Sequence, residues 1–339
     1  MRKSLKELSW GVSEEVYRAD KALSYSKLSQ FFKNGPKALI SNEKIDTPSL
    51  RFGSLVDCIL TAPEEFDDKF YVADIDRFSD KIREMIEYVY QLNVGDDDDR
   101  GLSEINSIQL LQVLDEFNYQ SGWKDKTRID KLIELGSDYY TVLKYSTGKI
   151  VISPQEFSEA QQCVMTLKTH PFTYQIFECN EDEEILYQLK FKTELNGIKV
   201  RIMMDLIKCN HRTKRITPFD LKTSGKSEEK FEESYENWCY WIQSPKYKRV
   251  LETVIEQDDY FKDFVVEDFK FIVINKVNLC PLIWHDFDPE DVMLTILRKY
   301  GVTWVSLLED ANWHLQNGKF DYSRRSYENN GCNPIILKP

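Results

Sequence analysis

Long apolar runs are missing from this sequence. None approaches the roughly 20 residues that a helix needs to cross a bilayer, so no membrane span is expected. Arg2 and Lys3 are followed by no apolar stretch, and no signal peptide is expected either. The seven cysteines are dispersed, with no Cys-x-x-Cys pair, which predicts reduced thiols in a cytosolic compartment. The four histidines, His170, His211, His285 and His314, stand far apart without ligand spacing and read as ordinary. Ser146-Thr147-Gly148-Lys149 lacks the preceding glycine of a phosphate-binding loop, so no nucleotide-driven motor is encoded. Positive charge is also short, with 45 Lys and Arg against 57 Asp and Glu, a net charge of −12. On its own this argues against a nucleic-acid partner, whose phosphates need cations. The acids are partly gathered in runs such as Asp96–Asp99 and Glu181–Glu184, however, whereas Arg201 to Arg249 is rich in bases. A basic groove on an acidic body is compatible with that distribution.

What is present suits a folded enzyme-sized chain. It has 339 residues, 42% hydrophobic and 13% aromatic, with no internal repeat or low-complexity linker. Residues 24–40 predict a short helix capped near Ser24 or Ser26 and broken by Gly35-Pro36, and residues 50–60 a second helix stopped by Pro63. Residues 80–150 read as polar helices interrupted by the acidic Gly95–Gly101 loop. In them Trp123, Lys124, Lys126 and Arg128 read as a solvated helix face rather than a DNA-touching patch. A helix follows Pro154. Strands are predicted over 185–193, 198–208, 215–223, 269–275 and 282–287, with helices from Glu228 onward and over 289–317, and an irregular tail after Tyr322. One α/β domain with helical decorations accounts for this order.

The informative stretch is Ile198–Thr223. Its first half alternates as a strand does, which puts Asp205 on a face with Met203 and Ile207; in the second half Asp220 and Lys222 share a face. If the turn between them is centred between Arg212 and Thr213, Asp205 stands opposite Asp220. Two facing carboxylates repel, and a divalent cation between them, a hard ion that takes carboxylate oxygens, relieves the repulsion. On spacing alone, an ordinary hairpin with solvent-facing charges accounts for these residues too. In Phe52–Ala62 the one charged residue is Asp57. A lone carboxylate is costly to bury unpaired, so Asp57 either lies on the exposed edge of its helix or reaches the same metal.

Four segments, in order, resemble the PD-(D/E)XK nucleases of the exonuclease VIII (RecE-like) and RecB-nuclease branch. They are Leu23-Ser-Tyr-Ser-Lys-Leu28 with Gly35-Pro36, Leu50-Arg-Phe-Gly-Ser-Leu-Val-Asp57, Asp205 with Asp220-Leu-Lys-Thr-Ser-Gly225, and Gln243-Ser-Pro-Lys-Tyr247. Two departures stand out. Asp57 occupies the place of the family's metal-binding histidine, and Pro245 falls inside the Gln–Tyr motif. Ser244-Pro245 would cap and start a new helix there, leaving Gln243 and Tyr247 off a single smooth turn.

The resemblance implies a restriction-endonuclease-like core, a mixed central sheet flanked by helices with helical decorations. It would be a single domain over 1–339, with amino-terminal helices (20–70), a helical insertion (75–155) and a catalytic core (180–320). The implied activity is metal-dependent DNA hydrolysis, as an exonuclease at duplex ends in recombination or DNA processing. An endonuclease on the same fold, or a catalytically weak protein that binds DNA or a partner, are the alternatives. Implied for the site are Asp205, Asp220 and Lys222 as catalytic residues; Asp57, Asp205, Asp220 and the Leu221 carbonyl around Mg²⁺ or Mn²⁺; Glu184 supporting them, or else one acid of the exposed Glu181–Glu184 run; and Gln243 and Tyr247 contacting the DNA backbone or the surroundings of Lys222. No iron–sulfur cluster is expected, since the cysteine cluster of some relatives is lacking. DNA, a homo-oligomer and a recombination partner protein are the implied partners, in the cytoplasm, that of the host if the chain is phage-encoded.

Overall fold

The computed structural model describes residues 2–41, 47–74, 80–93, 100–285 and 289–335. The acidic run Asp96–Asp99 lies outside them. The chain forms two compact units, one of residues 62–161 and the other of residues 1–61 with 162–339.

Before the first unit boundary come α1 (Glu14–Ala19), α2 (Tyr25–Asn34) and α3 (Pro48–Thr61). Ser24 caps α2 by accepting from Lys27 N, and Gly35, at φ 78°, ends it where a side chain would be strained. Thr47 Oγ1 accepts from Leu50 N, and Pro48 takes the first position of α3, where its missing N–H costs nothing.

The unit of residues 62–161 contains α4 (Phe66–Lys69), β1 (Phe70–Val72), α5 (Asp80–Asn93), α6 (Ser107–Glu116), α7 (Asp125–Tyr145) and β2 (Ile150–Ile152). β1 and β2 pair in parallel. Ile82, Met85, Ile86 and Val89 of α5 form its core with Leu110, Val113 and Leu114 of α6 and Leu132, Tyr139 and Tyr140 of α7. At Gly136 a Cβ would stand 2.3 Å from Ile86 Cδ1, so the absent side chain sets how closely α5 and α7 pack. Arg128 does not belong to a solvated face. It is buried, donates to Tyr119 O and pairs with Asp115.

After α8 (Pro154–Thr169) the chain builds a six-stranded mixed sheet from β3 (Glu183–Leu195), β4 (Ile198–Asn210), β5 (Arg215–Ser224), β6 (Val265–Val266), β7 (Lys270–Asn275) and β8 (Pro281–His285). The order is β3-β4-β5-β7-β8, with β6 also on β5; β5 and β7 run parallel and the remaining neighbours of the main path antiparallel. A parallel pair needs a crossover, and α9 (Phe231–Asn237) and α10 (Tyr240–Glu256) supply it. α11 (Pro289–Tyr300), α12 (Trp304–Asn317) and the short α13 (Arg324–Glu328) follow, so the tail is not wholly irregular. α10 packs on β3, β4, α2 and α12. Its Trp241, Ile242, Val250 and Leu251 share a core with Val200, Ile202 and Met204 of β4, Phe271 and Val273 of β7, and Leu307, Leu308 and Ala311 of α12.

Pro245 does not start a new helix; α10 runs through it. The reason is position. Pro245 lies in the second turn, where its fixed φ is already helical and a single backbone hydrogen bond is forfeited, while Gln243, Ser244, Lys246 and Tyr247 around it are all buried.

Candidate active site

The site sits where the sheet forks. β4 and β5 pair from Asn210↔Arg215 to Leu206↔Phe219 and no further. The register places Asp205 opposite Asp220, as the turn centred between Arg212 and Thr213 predicts. Past that point β4 continues only with β3, and β5 only with β7. The ladder is closed by a side chain: Asp205 Oδ2 accepts from Leu221 N at 2.9 Å. In an extended strand a residue's N–H and C=O point to the same side, so the Leu221 carbonyl faces the fork as well.

Asp220 is 3% exposed. Its Oδ1 accepts from Gln243 Nε2 at 2.5 Å, and its Oδ2 pairs with the Lys222 ammonium. That ammonium lies 4.7 Å from the centre of the Tyr240 ring. Burial pulls the Lys222 pKa down, but Asp220, then Tyr240 and Asp205, outweigh it and hold the pKa above the usual value. Burial, followed by the charges of Asp220 and Asp57, pushes the Asp205 carboxyl well above the ordinary range.

Asp57 comes from α3, which packs on β5. Gly53, one turn earlier, marks the close approach, since a Cβ there would lie 3.2 Å from Thr223 Oγ1. Asp57 Oδ2 accepts from Gln188 Nε2 at 2.8 Å. Gln188 sits opposite Asp205 on β3, in left-handed backbone at φ 52°, in a gap of the ladder between Tyr187↔Leu206 and Leu189↔Met204. A left-handed residue inside a strand is strained, and such strain gathers at functional sites.

Asp205 and Asp220 thus face each other beside one lysine, with the charge of Asp57 near enough to act on Asp205. The donor set is hard oxygen, the negative charge is in excess, and Gln243 Oε1 is buried without a hydrogen-bond partner. These features fit a divalent cation of the Mg²⁺ or Mn²⁺ class.

Of the other expected residues, Glu184 is opposite Cys209, away from the fork, where it accepts from Ser4 Oγ and Leu5 N and meets His211 at 3.2 Å. Gln243 and Tyr247 are buried, 3% and 7% exposed, and Gln243 lies in the surroundings of the Lys222–Asp220 pair. There it orients Asp220, and the Tyr247 ring packs edge-on against Phe269. His211 is not an isolated histidine, for it clusters with Glu184 and Cys209.

Sequence reasoning missed Gln188, Tyr240 and Tyr25, whose hydroxyl donates to Trp238 O and whose ring lies 6.2 Å from that of Tyr240. For Gln188 a signal existed. Asn196-Gly197, both at positive φ, form the two-residue hairpin turn joining Leu195 to Ile198. Counting outward from that turn puts Gln188, not Glu184, across from Asp205.

A central mixed sheet flanked by helices is consistent with the fold of the PD-(D/E)XK nuclease superfamily, whose members generally use divalent metals. The chain belongs to the family described as "PDDEXK-like domain of unknown function (DUF3799)", whose model matches residues 24–267. It is also similar to a crystal structure from Eubacterium rectale described as a "Putative exonuclease", at 14% identity and a TM-score of 0.44, over 97% of this chain and 95% of that one. No curated protein matches the sequence.

Proposed function

We propose that this chain is a metal-dependent deoxyribonuclease acting as an exonuclease at duplex ends, in recombination or another form of DNA processing. The observation that carries the reading is the facing pair Asp205 and Asp220 beside Lys222 at the fork between β4 and β5, with the Asp57 charge acting on Asp205. In this reading the unit of residues 1–61 and 162–339 is the nuclease, and residues 62–161 are a helical insertion.

Asp57, Asp205, Asp220 and the Leu221 carbonyl would hold Mg²⁺ or Mn²⁺. The bound ion supplies Lewis acidity toward the scissile phosphate and activates water. The chain's own groups do the rest. Leu221 N fixes the Asp205 carboxylate, and Gln243 fixes that of Asp220. Lys222 stays protonated, so its ammonium positions the attacking water and stabilises the negative charge that builds on the phosphorane-like transition state. Gln188 holds Asp57 toward the pair. The end preference, and a homo-oligomer or a recombination partner, rest on the family resemblance.

The test is incubation of the purified protein and Mg²⁺ with end-labelled linear duplex and with covalently closed circular DNA. Progressive loss of the linear substrate, with the circle intact, is the expected result. Cutting of the circle would make the protein an endonuclease instead.

A further inference from the structure

At the open end of the β3–β4 ribbon, four residues along β4 from Asp205, a cluster of different chemistry is built from the same two strands. Glu184 and Cys209 face each other across the ladder, and His211, two residues beyond Cys209, turns to the same side. We propose that Glu184, Cys209 and His211 form a second metal site, separate from the carboxylate site, that takes a borderline-soft cation of the Zn²⁺ class.

Three observations carry this. The first is the donor set. One sulfur, one imidazole nitrogen and one carboxylate oxygen suit Zn²⁺ and are foreign to a Mg²⁺ site. The second is spacing. His211 Nε2 and Glu184 Oε1 are 3.2 Å apart, and the three donor atoms all lie within 4.8 Å of one another. Zinc bond lengths of roughly 2.0–2.3 Å in a tetrahedron require donor separations of roughly 3.3–3.6 Å. The nitrogen–oxygen edge is already near that length, and no pair needs to close by more than roughly 1.5 Å. The third is support around the donors. His211 Nδ1 is 3.1 Å from the Tyr260 hydroxyl, which can accept the Nδ1 proton and so support the tautomer in which Nε2 is bare for a metal. Glu184 is held by Ser4 Oγ at 2.7 Å and Leu5 N at 2.9 Å. Cys209 is fully buried, while the Glu184 side chain retains 16% exposure, so the ion enters from the carboxylate side and water completes its coordination. Because Glu184 also anchors Ser4 and Leu5, metal binding would fasten the amino-terminal segment to the sheet.

The experiment uses the full chain, stripped of metal by chelation and titrated with Co²⁺ as a spectroscopic substitute for Zn²⁺. A thiolate-to-cobalt charge-transfer absorption with the strong visible bands of a tetrahedral site is expected, bleached by Zn²⁺ and unchanged in Asp220→Asn. The bands should vanish in Cys209→Ser and in His211→Gln. Tyr260→Phe should keep them and weaken binding by roughly ten- to a hundredfold. Zn²⁺ should also raise the melting temperature of the wild type and not that of Cys209→Ser. If a variant misfolds, the wild-type spectrum still decides: absence of a thiolate band in folded wild type overturns the proposal. So do bands that survive in Cys209→Ser, which would assign them to the exposed Cys179, Cys280 or Cys332.

Discussion

Asp205 stands between two other acids, and its neighbours define what each can do. Asp57 stands where the sequence resemblance implies a metal-binding histidine, and its Oδ2 accepts from Gln188. In the proposed site an aspartate there would give the cation a third negative charge, where histidine would give a neutral nitrogen that Mg²⁺ binds poorly. Asp57→His should therefore keep the fold and part of the activity but need on the order of ten times more Mg²⁺, with Mn²⁺ restoring it better. Asp57→Ala should lose more activity in Mn²⁺ than Asp57→His. Cleavage rate against metal concentration for the three proteins checks this, and identical curves for wild type and Asp57→Ala would remove Asp57 from the site. A second residue-scale prediction concerns Lys246, which is fully buried with its Nζ on the Arg201 carbonyl at 2.9 Å, where β4 has no β5 partner. Burial, aided by Arg201, lowers its pKa to about 7. The unfolded chain, with a lysine pKa of roughly 10.4, then binds more protons than the native one between these values. Native stability should rise with pH from about 7 to about 10, and this contribution is lost as pH falls through that window. Lys246→Met should flatten the slope by up to about 1.4 kcal/mol per pH unit, read from urea unfolding at several pH values. Equal slopes in the two proteins would contradict the buried, near-neutral lysine.

At the scale of elements, the strands around the fork were legible because alternation and turn chemistry are local. Asp205, Asp220 and Lys222 could be placed on strands, and even opposite one another, from the sequence between them. What contacts them across the fold could not. Nothing local tells Gln243 to bond Asp220, and the proline beside it points toward a helix break that the surrounding burial overrides. The His211 cluster was hidden for the same reason, since its glutamate is 27 residues away in sequence. Gly53 lies between these cases. It is readable as a glycine in a helix, which is unfavourable locally, and the fold supplies the reason in the approach of α3 to Thr223. Gly53→Val should push α3 off β5, cost about 1–3 kcal/mol by overpacking, and lower cleavage by moving Asp57. Urea unfolding together with a cleavage assay measures both, and a variant with unchanged stability and rate would show that the close approach does not position the acid.

For the whole molecule, charge is the feature that composition alone misreads. The bases of residues 201–249 do not stand as an open basic groove. Lys208 pairs with Glu183 at 3.3 Å, Arg212 with Asp182 at 3.3 Å, Arg215 with Glu267 at 2.7 Å and Lys248 with Asp268 at 2.9 Å, while Arg201 reaches the Arg18 carbonyl at 3.2 Å. A DNA backbone would have to exchange these partners for phosphates, and its binding would weaken steeply with salt. Among the described residues no helix is long and apolar enough to cross a membrane. Two facing carboxylates acting through a cation are the centre of the proposed mechanism, and one substitution addresses them directly. Asp220→Asn removes one of the two charges while keeping an oxygen that can accept from Gln243. The measurement is the Mg²⁺-dependent cleavage rate of linear duplex DNA by the wild type and by purified, folded Asp220→Asn. A fall of at least about a hundredfold, the scale on which a lost electrostatic stabiliser acts, is the predicted result; full activity in Asp220→Asn would contradict the mechanism.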